Sequence, residues 1–255
     1  MNRFENKTVL VTGSSQGIGA ACAIRFAQEG ANVIFNGHKF DERGEKLISE
    51  VEQMGRKAVF IEADISRKKG VEKLIAQAVK AFGGLDVLVN NAGMEIKNPF
   101  WKITEEEYDD VMNTNFKGLF FGIQAFTNYC IKQKIAGVIV NVSSVHEEIP
   151  FPGYAAYCAS KGAVKMLCRN LAIELADFNI RINNVAPGAI ETPINKSLLA
   201  NKKKLNKVLK NIPLKRLGKP EDVAGIVSFL ASSDADYVTG SSYFVDGGLT
   251  WQYEE

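Results

Sequence analysis

Short apolar runs alternate with longer amphipathic segments along this chain, and the alternation predicts its fold. Seven runs rich in Val, Ile and Phe are candidates for strands, and several are apolar on both faces, as strands covered by two helical layers require. They are TVLVT (8–12), NVIFN (32–36), AVFIEA (58–63), DVLVN (86–90), GVIVNVS (137–143), IRINNVA (180–186) and SYFVD (242–246).

Helical spacing of apolar positions fills the stretches between these runs. The predicted helices lie near 17–29, 41–54, 68–82, 104–134, 154–178 and 220–232, and the fourth is long enough for two helices. Regular alternation of strand and helix predicts an α/β fold with a seven-stranded, doubly wound parallel sheet and helices on both faces. Because no linker or repeat interrupts the pattern, we expect one domain over residues 1–255.

Charge excludes some functions. The chain has 31 Lys and Arg against 29 Asp and Glu, so neither nucleic acid nor an anionic membrane is an expected partner. Basic residues concentrate in KSLLANKKKLNKVLK (196–210), which reads as one helix with Leu198, Leu205 and Leu209 along one side and lysines around the rest. Since no aromatics are interleaved, we interpret it as a solvated helix over an apolar cleft.

Cysteine usage and the first residues bear on the compartment. The four cysteines form no C-x-x-C pair and sit in apolar, helix-like settings, which predicts neither disulfides nor a metal site. The stretch MNRFENKTVLVTG has no apolar leader, and no apolar run reaches 18 residues. A reducing, cytoplasmic location is the expectation.

The segment VLVTGSSQGIGAACAIRFAQEG (9–30) combines a buried strand, a glycine-rich turn and a helix. Gly13, Gly17 and Gly19 let the backbone turn tightly, and the helix starting near Gly17 would direct its free N–H groups at a pyrophosphate. A glycine-rich turn alone is weak evidence, but its place between strand and helix predicts a Rossmann-type dinucleotide site. The spacing G-x-x-x-G-x-G differs from the commoner G-x-G-x-x-G.

The end of the second predicted strand should select the dinucleotide. An acidic residue there would hold the adenosine ribose, yet NVIFNGHKF (32–40) has none before Asp41. His38 and Lys39 could attract a 2′-phosphate instead. We therefore expect NADP to be accepted, with or without NAD. The alternative for His38 and Lys39 is a solvated turn.

The stretch NVSSVHEEIPFPGYAAYCASKGA (141–163) holds the candidate chemistry. Tyr157 and Lys161 share one helical face, and a nearby ammonium favours the phenolate of a tyrosine whose pKa is otherwise about 10. Ser144 ends the fifth predicted strand, where ligands of open α/β sheets bind. A Ser–His hydrolase lacks the G-x-S-x-G turn here, and a metal site would rest on His146 with adjacent glutamates and no second histidine nearby.

Together these motifs resemble the short-chain dehydrogenase/reductase family over nearly the whole chain. The glycine-rich turn, AD (63–64), NNAG (90–93), MNTNFKG (112–118), PG (187–188) and VDGG (245–248) all match it. The resemblance implies that Ser144 holds the substrate oxygen, Tyr157 is the acid/base, Lys161 binds the nicotinamide ribose and lowers the tyrosine pKa, and Asn115 supports a proton relay. It also implies a cofactor cleft formed by Gly13, Ser15, Gly17, Ile18, Gly19, His38, Lys39, Asp64, Ile65, Asn91, Ala92, Gly93, Tyr157, Lys161, Pro187, Gly188, Ile190 and Thr192.

Within that family the chain resembles the bacterial glucose 1-dehydrogenases, through NNAGMEI (90–96), SSVHEEIPFP (143–152), PGAIETPIN (187–195) and VDGGLTWQY (245–253). This resemblance implies that Glu95, Ser144, His146 and Asn195 bind a sugar, and that glucose is oxidised to gluconolactone. The alternatives are reduction of a 3-oxoacyl thioester, turnover of a hydroxysteroid, or a dinucleotide-binding regulator without activity. The family also implies a homotetramer. Residues 190–212 are expected to form a lid over the substrate.

Overall fold

The computed structural model describes residues 2–252, so residues 1 and 253–255 of the expected domain lie outside the described residues. Seven parallel strands form one sheet in the order β3-β2-β1-β4-β5-β6-β7. The chain thus winds outward in both directions from β1, which confirms the expected doubly wound fold. The strands are β1 (Thr8–Val11), β2 (Asn32–Gly37), β3 (Ala58–Glu62), β4 (Val87–Asn90), β5 (Gly137–Val142), β6 (Ile180–Pro187) and β7 (Ser242–Val245).

Helices cover both faces of this sheet. The described helices are α1 (Gly17–Gln28), α2 (Glu42–Gln53), α3 (Lys68–Phe82), α4 (Glu105–Met112), α5 (Gly118–Gln133), α6 (Ala155–Glu174), α7 (Lys196–Leu199), α8 (Lys202–Lys210) and α9 (Pro220–Ala231). Successive strand residues point to opposite faces, so Val9 and Val11 join the core beneath α1 and α9, while Leu10 joins the core beneath α3, α5 and α6. Because helices cover both faces of the sheet, the strands are apolar at every central position.

The predicted 104–134 segment does contain two helices, but no loop separates them. A capping box of Thr104 and Glu107 starts α4, and a π-helical turn, Asn113–Lys117, joins α4 to α5. The turn is wider than an α-helical one, and such bulges often accompany functional sites. It carries Asn115, which is almost completely buried.

The prediction of one lysine-rich helix over 196–210 was wrong. The segment forms two short helices, α7 and α8, because Asn201 caps the second one by accepting a hydrogen bond from the backbone N–H of Lys204 at 3.0 Å. Leu198 therefore belongs to a different helix from Leu205 and Leu209. That residues 190–212 close over a substrate stays a prediction. No helix within residues 2–252 has the length and apolar character needed to cross a bilayer.

A line of buried amides crosses the sheet near the carboxyl ends of β4 and β5. Asn90 Nδ2 donates to Asn141 Oδ1 and Asn141 Nδ2 donates to Asn184 Oδ1, each at 3.0 Å, joining β4, β5 and β6. Asn184 Nδ2 extends the line toward Ser242 Oγ on β7 at 3.4 Å. A slip of one residue in any strand would leave these buried groups unpaired, so the line fixes the register at the strand ends.

Gly118 lies where α5 packs tightly against the loop after β3. A Cβ at this position would lie 2.2 Å from the backbone oxygen of Ile65, whereas a Cβ at Gly225 in α9 would meet nothing within 4 Å. We expect Gly118→Ala to lower the free energy of unfolding by about 1–3 kcal/mol because backbone must move. Gly225→Ala, the matched control, should raise it by about 0.5–1 kcal/mol. Urea unfolding measures both, and equal stabilisation by the two substitutions would contradict this packing.

Candidate active site

The candidate site lies along the edge where the parallel strands end. The crevice between β1 and β4 is the point where the strand order reverses, which is where open α/β sheets bind their ligands. The turn after β1, the loop after β4, the turn after β5 and the start of α6 all meet there. These segments carry most of the residues that the sequence singled out.

The glycine-rich turn is held by the loop after β4. Gly13 and Gly17 have φ values of +61° and +60°, and a Cβ at Gly13 would lie 2.7 Å from Ala92 Cα. Asn91 Nδ2 donates to the backbone oxygens of Thr12 and Gly13 at 2.9 and 3.0 Å. The NNAG segment thus fixes the turn, and only glycine fits this close approach of two backbones.

The first turn of α1 is suited to an anion. No side chain caps it at Gln16, and no acidic residue lies in the first turn. Its free N–H groups and the positive end of the helix dipole would both favour a phosphate. A Cβ at Gly17 would lie 3.6 Å from Thr192 and Pro193, so the segment after β6 borders the same turn. These residues fit a dinucleotide pyrophosphate.

At the end of β2, Asn36 and the turn that follows it differ in exposure to solvent. Asn36 is buried, accepts a hydrogen bond from the Gly13 N–H at 3.3 Å and donates to Ile61 O at 3.1 Å, so it supports the glycine-rich turn. His38 and Lys39 are exposed. Sequence reasoning missed Glu62, whose carboxylate accepts the Phe40 N–H at 2.6 Å, because this contact joins the ends of β2 and β3.

Asp64, expected near adenine, faces the same turn. Hydrogen bonds from Ser66 lower the pKa of Asp64, and the charge of His38 lowers that pKa further. The Ser66 hydroxyl donates to Asp64 Oδ1 at 2.7 Å. That Asp64 contacts adenine stays a prediction.

Tyr157 and Lys161 project from the first turns of α6 beside the end of β5. Lys161 is 5% exposed, its Nζ donates to Val142 O at 3.0 Å, and it lies 5.7 Å from the centroid of the Tyr157 ring. Burial lowers the pKa of Lys161 to about 8, while the charge of Glu147 acts in the opposite direction. Ser144 follows β5 and accepts the His146 N–H at 3.2 Å.

The lowering of the Tyr157 pKa expected from Lys161 does not occur in the protein alone. Burial raises the pKa of Tyr157 to about 12, a hydrogen bond with Ser144 opposes this, and the charge of Glu95 adds to the increase. The Lys161 ammonium is directed at Val142 O, so it does not offset the desolvation of the phenolate.

Asn115 connects the loop after β4 to α6. Its Oδ1 accepts the Met94 N–H at 2.8 Å, and its Nδ2 donates to Met94 O at 2.8 Å and to Ser160 Oγ at 3.1 Å. Ser160 Oγ in turn donates to Tyr157 O at 2.7 Å. Because both ends of the amide are engaged, Asn115 positions its neighbours directly. Its role in a proton relay stays a prediction.

His146 lies near Tyr157, and the charge of Glu95 acts on the same phenol, but that either residue binds a sugar stays a prediction. Burial raises the pKa of Glu95, and its charge raises the pKa values of Tyr154 and Tyr157. The His146 ring centroid is 6.2 Å from that of Tyr157. Burial also lowers the pKa of His146, and its Nδ1 lies 3.2 Å from Ile149 O. A neutral His146 that donates through Nδ1 presents Nε2 as an acceptor.

An aromatic stack of His146, Phe151 and Tyr154 borders this region and was not foreseen. His146 and Phe151 stack with centroids 4.3 Å apart, and Phe151 and Tyr154 with centroids 4.0 Å apart. The turn before α6 brings Tyr154 onto Phe151. The signal for this stack in the sequence was the presence of aromatic residues at irregular spacing.

Asn195 is placed differently from the other predicted substrate residues. It ends the 3₁₀ turn Pro193–Asn195, and its Nδ2 donates to Ile190 O at 2.7 Å within the same loop. Among the described residues, no hydrogen bond joins Asn195 to Ser144, Tyr157 or His146. Pro187 and Gly188 lie at the end of β6, where a Cβ at Gly188 would be 2.8 Å from Asp246.

The geometry does not support a Ser–His hydrolase. The Ser144 hydroxyl accepts from the backbone of His146, while the imidazole Nδ1 faces Ile149 O. Within residues 2–252, no three His, Cys, Asp or Glu side chains cluster in a way that could hold a metal ion. Glu148 pairs with Lys165 at the surface, and Glu147 points inward.

Comparisons with known proteins identify the family. A family model described as enoyl-(acyl carrier protein) reductase matches residues 13–250. The chain is 46% identical to glucose 1-dehydrogenase of Gluconobacter oxydans, over 98% of this chain and 94% of the relative. It is 44% identical to 3beta-hydroxysteroid dehydrogenase 1 of Eggerthella lenta, over 97% and 95%.

A solved structure agrees with these sequence relatives. The short-chain dehydrogenase from Burkholderia cenocepacia J2315, in complex with NADP, superposes with a TM-score of 0.90 at 32% identity, over 97% of this chain and 99% of that one. The chain therefore belongs to the short-chain dehydrogenase/reductase family of NAD(P)-dependent oxidoreductases.

Proposed function

We propose that this protein oxidises glucose to gluconolactone with NADP as hydride acceptor. The observation that carries the proposal is that the His146 ring lies near the Tyr157 ring and that the charge of Glu95 acts on the same phenol. Two hydrogen-bond acceptors next to a candidate acid/base suit a substrate that offers several hydroxyl donors. A purely apolar alcohol would bind poorly here, because the polar groups of Glu95 and His146 would stay unpaired.

The cofactor would lie along the strand ends. The uncapped first turn of α1 would bind its pyrophosphate, and the loop formed by Asn91, Ala92 and Gly93 would border its nicotinamide half. His38 and Lys39 would face the adenosine ribose. When bound, the oxidised cofactor supplies the hydride acceptor and a positive charge that favours the phenolate of Tyr157.

In the proposed reaction, Ser144 holds the anomeric hydroxyl oxygen of glucose and Tyr157 removes its proton. The bound cofactor would accept the hydride that leaves the anomeric carbon as its C–H bond breaks, and the carbon–oxygen double bond of the lactone would form. With cofactor bound, the Lys161 ammonium would bind the nicotinamide ribose and would then stabilise the phenolate, which it does not do in the protein alone. Asn115 holds the loop after β4 against α6, so that these groups keep their geometry.

A hydroxysteroid is the second candidate, and the aromatic stack favours it. His146, Phe151 and Tyr154 offer a flat, largely apolar wall beside Tyr157. The half-buried carboxylate of Glu95 argues against it, since an apolar substrate would leave that charge without a partner. We therefore rank glucose first.

Turnover of glucose tests the proposed function. Reduced-nicotinamide absorbance should increase when the protein is mixed with glucose and NADP, and Tyr157→Phe should lower kcat by at least about 100-fold, because general acid/base catalysis is lost. Tyr129→Phe, which removes a phenol on α5 beside Gly84, is the control and should retain activity.

A panel of substrates separates the alternatives. Turnover of a 3β-hydroxysteroid or a 3-oxoacyl thioester without glucose activity would replace the proposed substrate. Tight NADP binding without turnover of any alcohol or carbonyl compound would indicate a regulator. Wild-type turnover by Tyr157→Phe would contradict the whole mechanism.

Lys39→Asp tests cofactor selection. A carboxylate at this exposed position would repel the 2′-phosphate, so kcat/KM for NADP should fall at least about tenfold while kcat/KM for NAD does not fall. The control is Lys57→Asp, the same charge change at the exposed residue before β3. Lys57 lies at the end of the sheet where β3 begins, away from the turn that follows β2. Unchanged preference for NADP in Lys39→Asp would refute this assignment.

The family expectation of a homotetramer is supported by exposed apolar side chains on α5 and α6. Ile173 is 81% exposed and Met166 is 61% exposed, and Phe120 and Ile131 are partly exposed on α5. Light scattering should give four times the 28.0 kDa mass of the chain, and Ile173→Glu should reduce it because a charge would be buried. A wild-type monomer would contradict the inference.

A further inference from the structure

The two adjacent glutamates after His146 differ sharply in the structure, and the proposed function uses neither. Glu148 forms an ion pair with Lys165 at the surface. Glu147 is only 9% exposed, and neither of its carboxylate oxygens makes a hydrogen bond with any described residue. A buried, unpaired carboxylate is costly and rare, so its presence calls for a physical explanation.

The surroundings of Glu147 point to Lys161. Glu147 ends the 3₁₀ turn Val145–Glu147, which follows Ser144 directly and packs against α6. The field of its carboxylate acts on Lys161. The Lys161 ammonium has three N–H donors, and within residues 2–252 one of them is bonded, to Val142 O at 3.0 Å. An anion nearby offsets part of the cost of burying that charge.

The charge of Glu147 also acts on the buried thiol of Cys168 on α6, whose pKa burial raises to about 12, so that group stays neutral. The remaining charged and titratable groups around the pair have different partners. On α6, Lys165 is paired with Glu148 and Tyr157 carries the candidate phenol. From the loop after β4, Glu95 acts on Tyr157, and from the turn after β5 the neutral His146 ring contacts the aromatic stack. Asn115 in the π-helical turn is uncharged, and β5 contributes the backbone oxygen of Val142.

We propose that Glu147 is a positioning residue for Lys161: its buried carboxylate keeps the Lys161 ammonium charged and in place beside Tyr157. The proposal rests on the role of Lys161 in the proposed function. Both carboxylate oxygens are fully enclosed by this chain, so neither solvent nor the surface of a second subunit neutralises Glu147. The two groups form no direct ion pair among the described residues and interact through the poorly hydrated interior, where charges are weakly screened.

The consequence is a change in the pH range of activity. Burial already lowers the pKa of Lys161 to about 8, and Glu147 raises it. Removing the carboxylate therefore lowers the pKa further, so Lys161 loses its proton at a lower pH. Since the proposed mechanism needs the ammonium beside the phenolate, the alkaline limb of the pH profile moves to lower pH.

Glu147→Gln and Glu148→Gln form a matched pair for the test. We expect the alkaline limb of kcat/KM, measured with the alcohol that the wild-type protein oxidises, to move down by about half a unit or more in Glu147→Gln. Glu148→Gln should leave it unchanged, because that carboxylate is at the surface and paired with Lys165. Glu147→Asp keeps the charge and should restore most of the wild-type profile.

A second variant and a second measurement separate this proposal from the proposed function. Glu147→Met removes the charge without leaving a buried amide unpaired, and it should give the same downward shift even if Glu147→Gln folds poorly. Calorimetric titration with NADP needs no turnover. Because Lys161 is expected to bind the nicotinamide ribose, affinity should begin to fall at a lower pH in Glu147→Gln than in the wild type.

The outcomes are distinct. A wild-type protein that oxidises no alcohol defeats the proposed function, while the NADP titration still decides the role of Glu147. Identical alkaline limbs in Glu147→Met and wild type, or equal shifts in the Glu147 and Glu148 variants, would overturn the inference.

Discussion

The buried hydrogen bonds that join Asn90, Asn141 and Asn184 hold β4, β5 and β6 in register, and the candidate site depends on that alignment. The loop with Glu95 leaves β4, and the turn with Ser144 and Glu147 leaves β5. The Lys161 ammonium then binds the last carbonyl of β5, which ties α6 to the same strand end. Side chains far apart in sequence therefore meet because parallel strands end at one edge.

Burial, more than direct ion pairing, determines the charges in this site. It raises the pKa of Tyr157 to about 12 and lowers that of Lys161 to about 8, so each group alone would resist the charged form that the proposed reaction requires. The proposed positive cofactor favours the phenolate, and the proposed contribution of Glu147 favours the ammonium. Under the proposed function, the protein is inactive until bound cofactor completes this balance.

Sequence patterns predicted the architecture well, because its determinants are local. Strands buried on both faces must be apolar throughout, and the glycine positions of the turn after β1 reflect its backbone geometry. The i, i+4 spacing of Tyr157 and Lys161 likewise placed both on one face of α6.

Tertiary contacts limited the remaining predictions. The helix over 196–210 divides because Asn201 caps α8, which helical periodicity cannot show. The direction of the Tyr157 pKa depends on how much water the folded site excludes, and the aromatic stack depends on the turn before α6. Adjacent Glu147 and Glu148 looked equivalent, yet the 3₁₀ turn buries one and exposes the other.

The proposed reaction passes hydride directly from a hydroxyl-bearing carbon to a cofactor bound beside Tyr157. Incubating the protein with NADP and glucose deuterated at its anomeric carbon, followed by mass spectrometry of the cofactor, tests it most directly. Direct transfer should place deuterium in the reduced nicotinamide, and Tyr157→Phe should greatly slow its appearance. Gluconolactone formed without deuterium in the cofactor, or transfer at an undiminished rate in Tyr157→Phe, would contradict it.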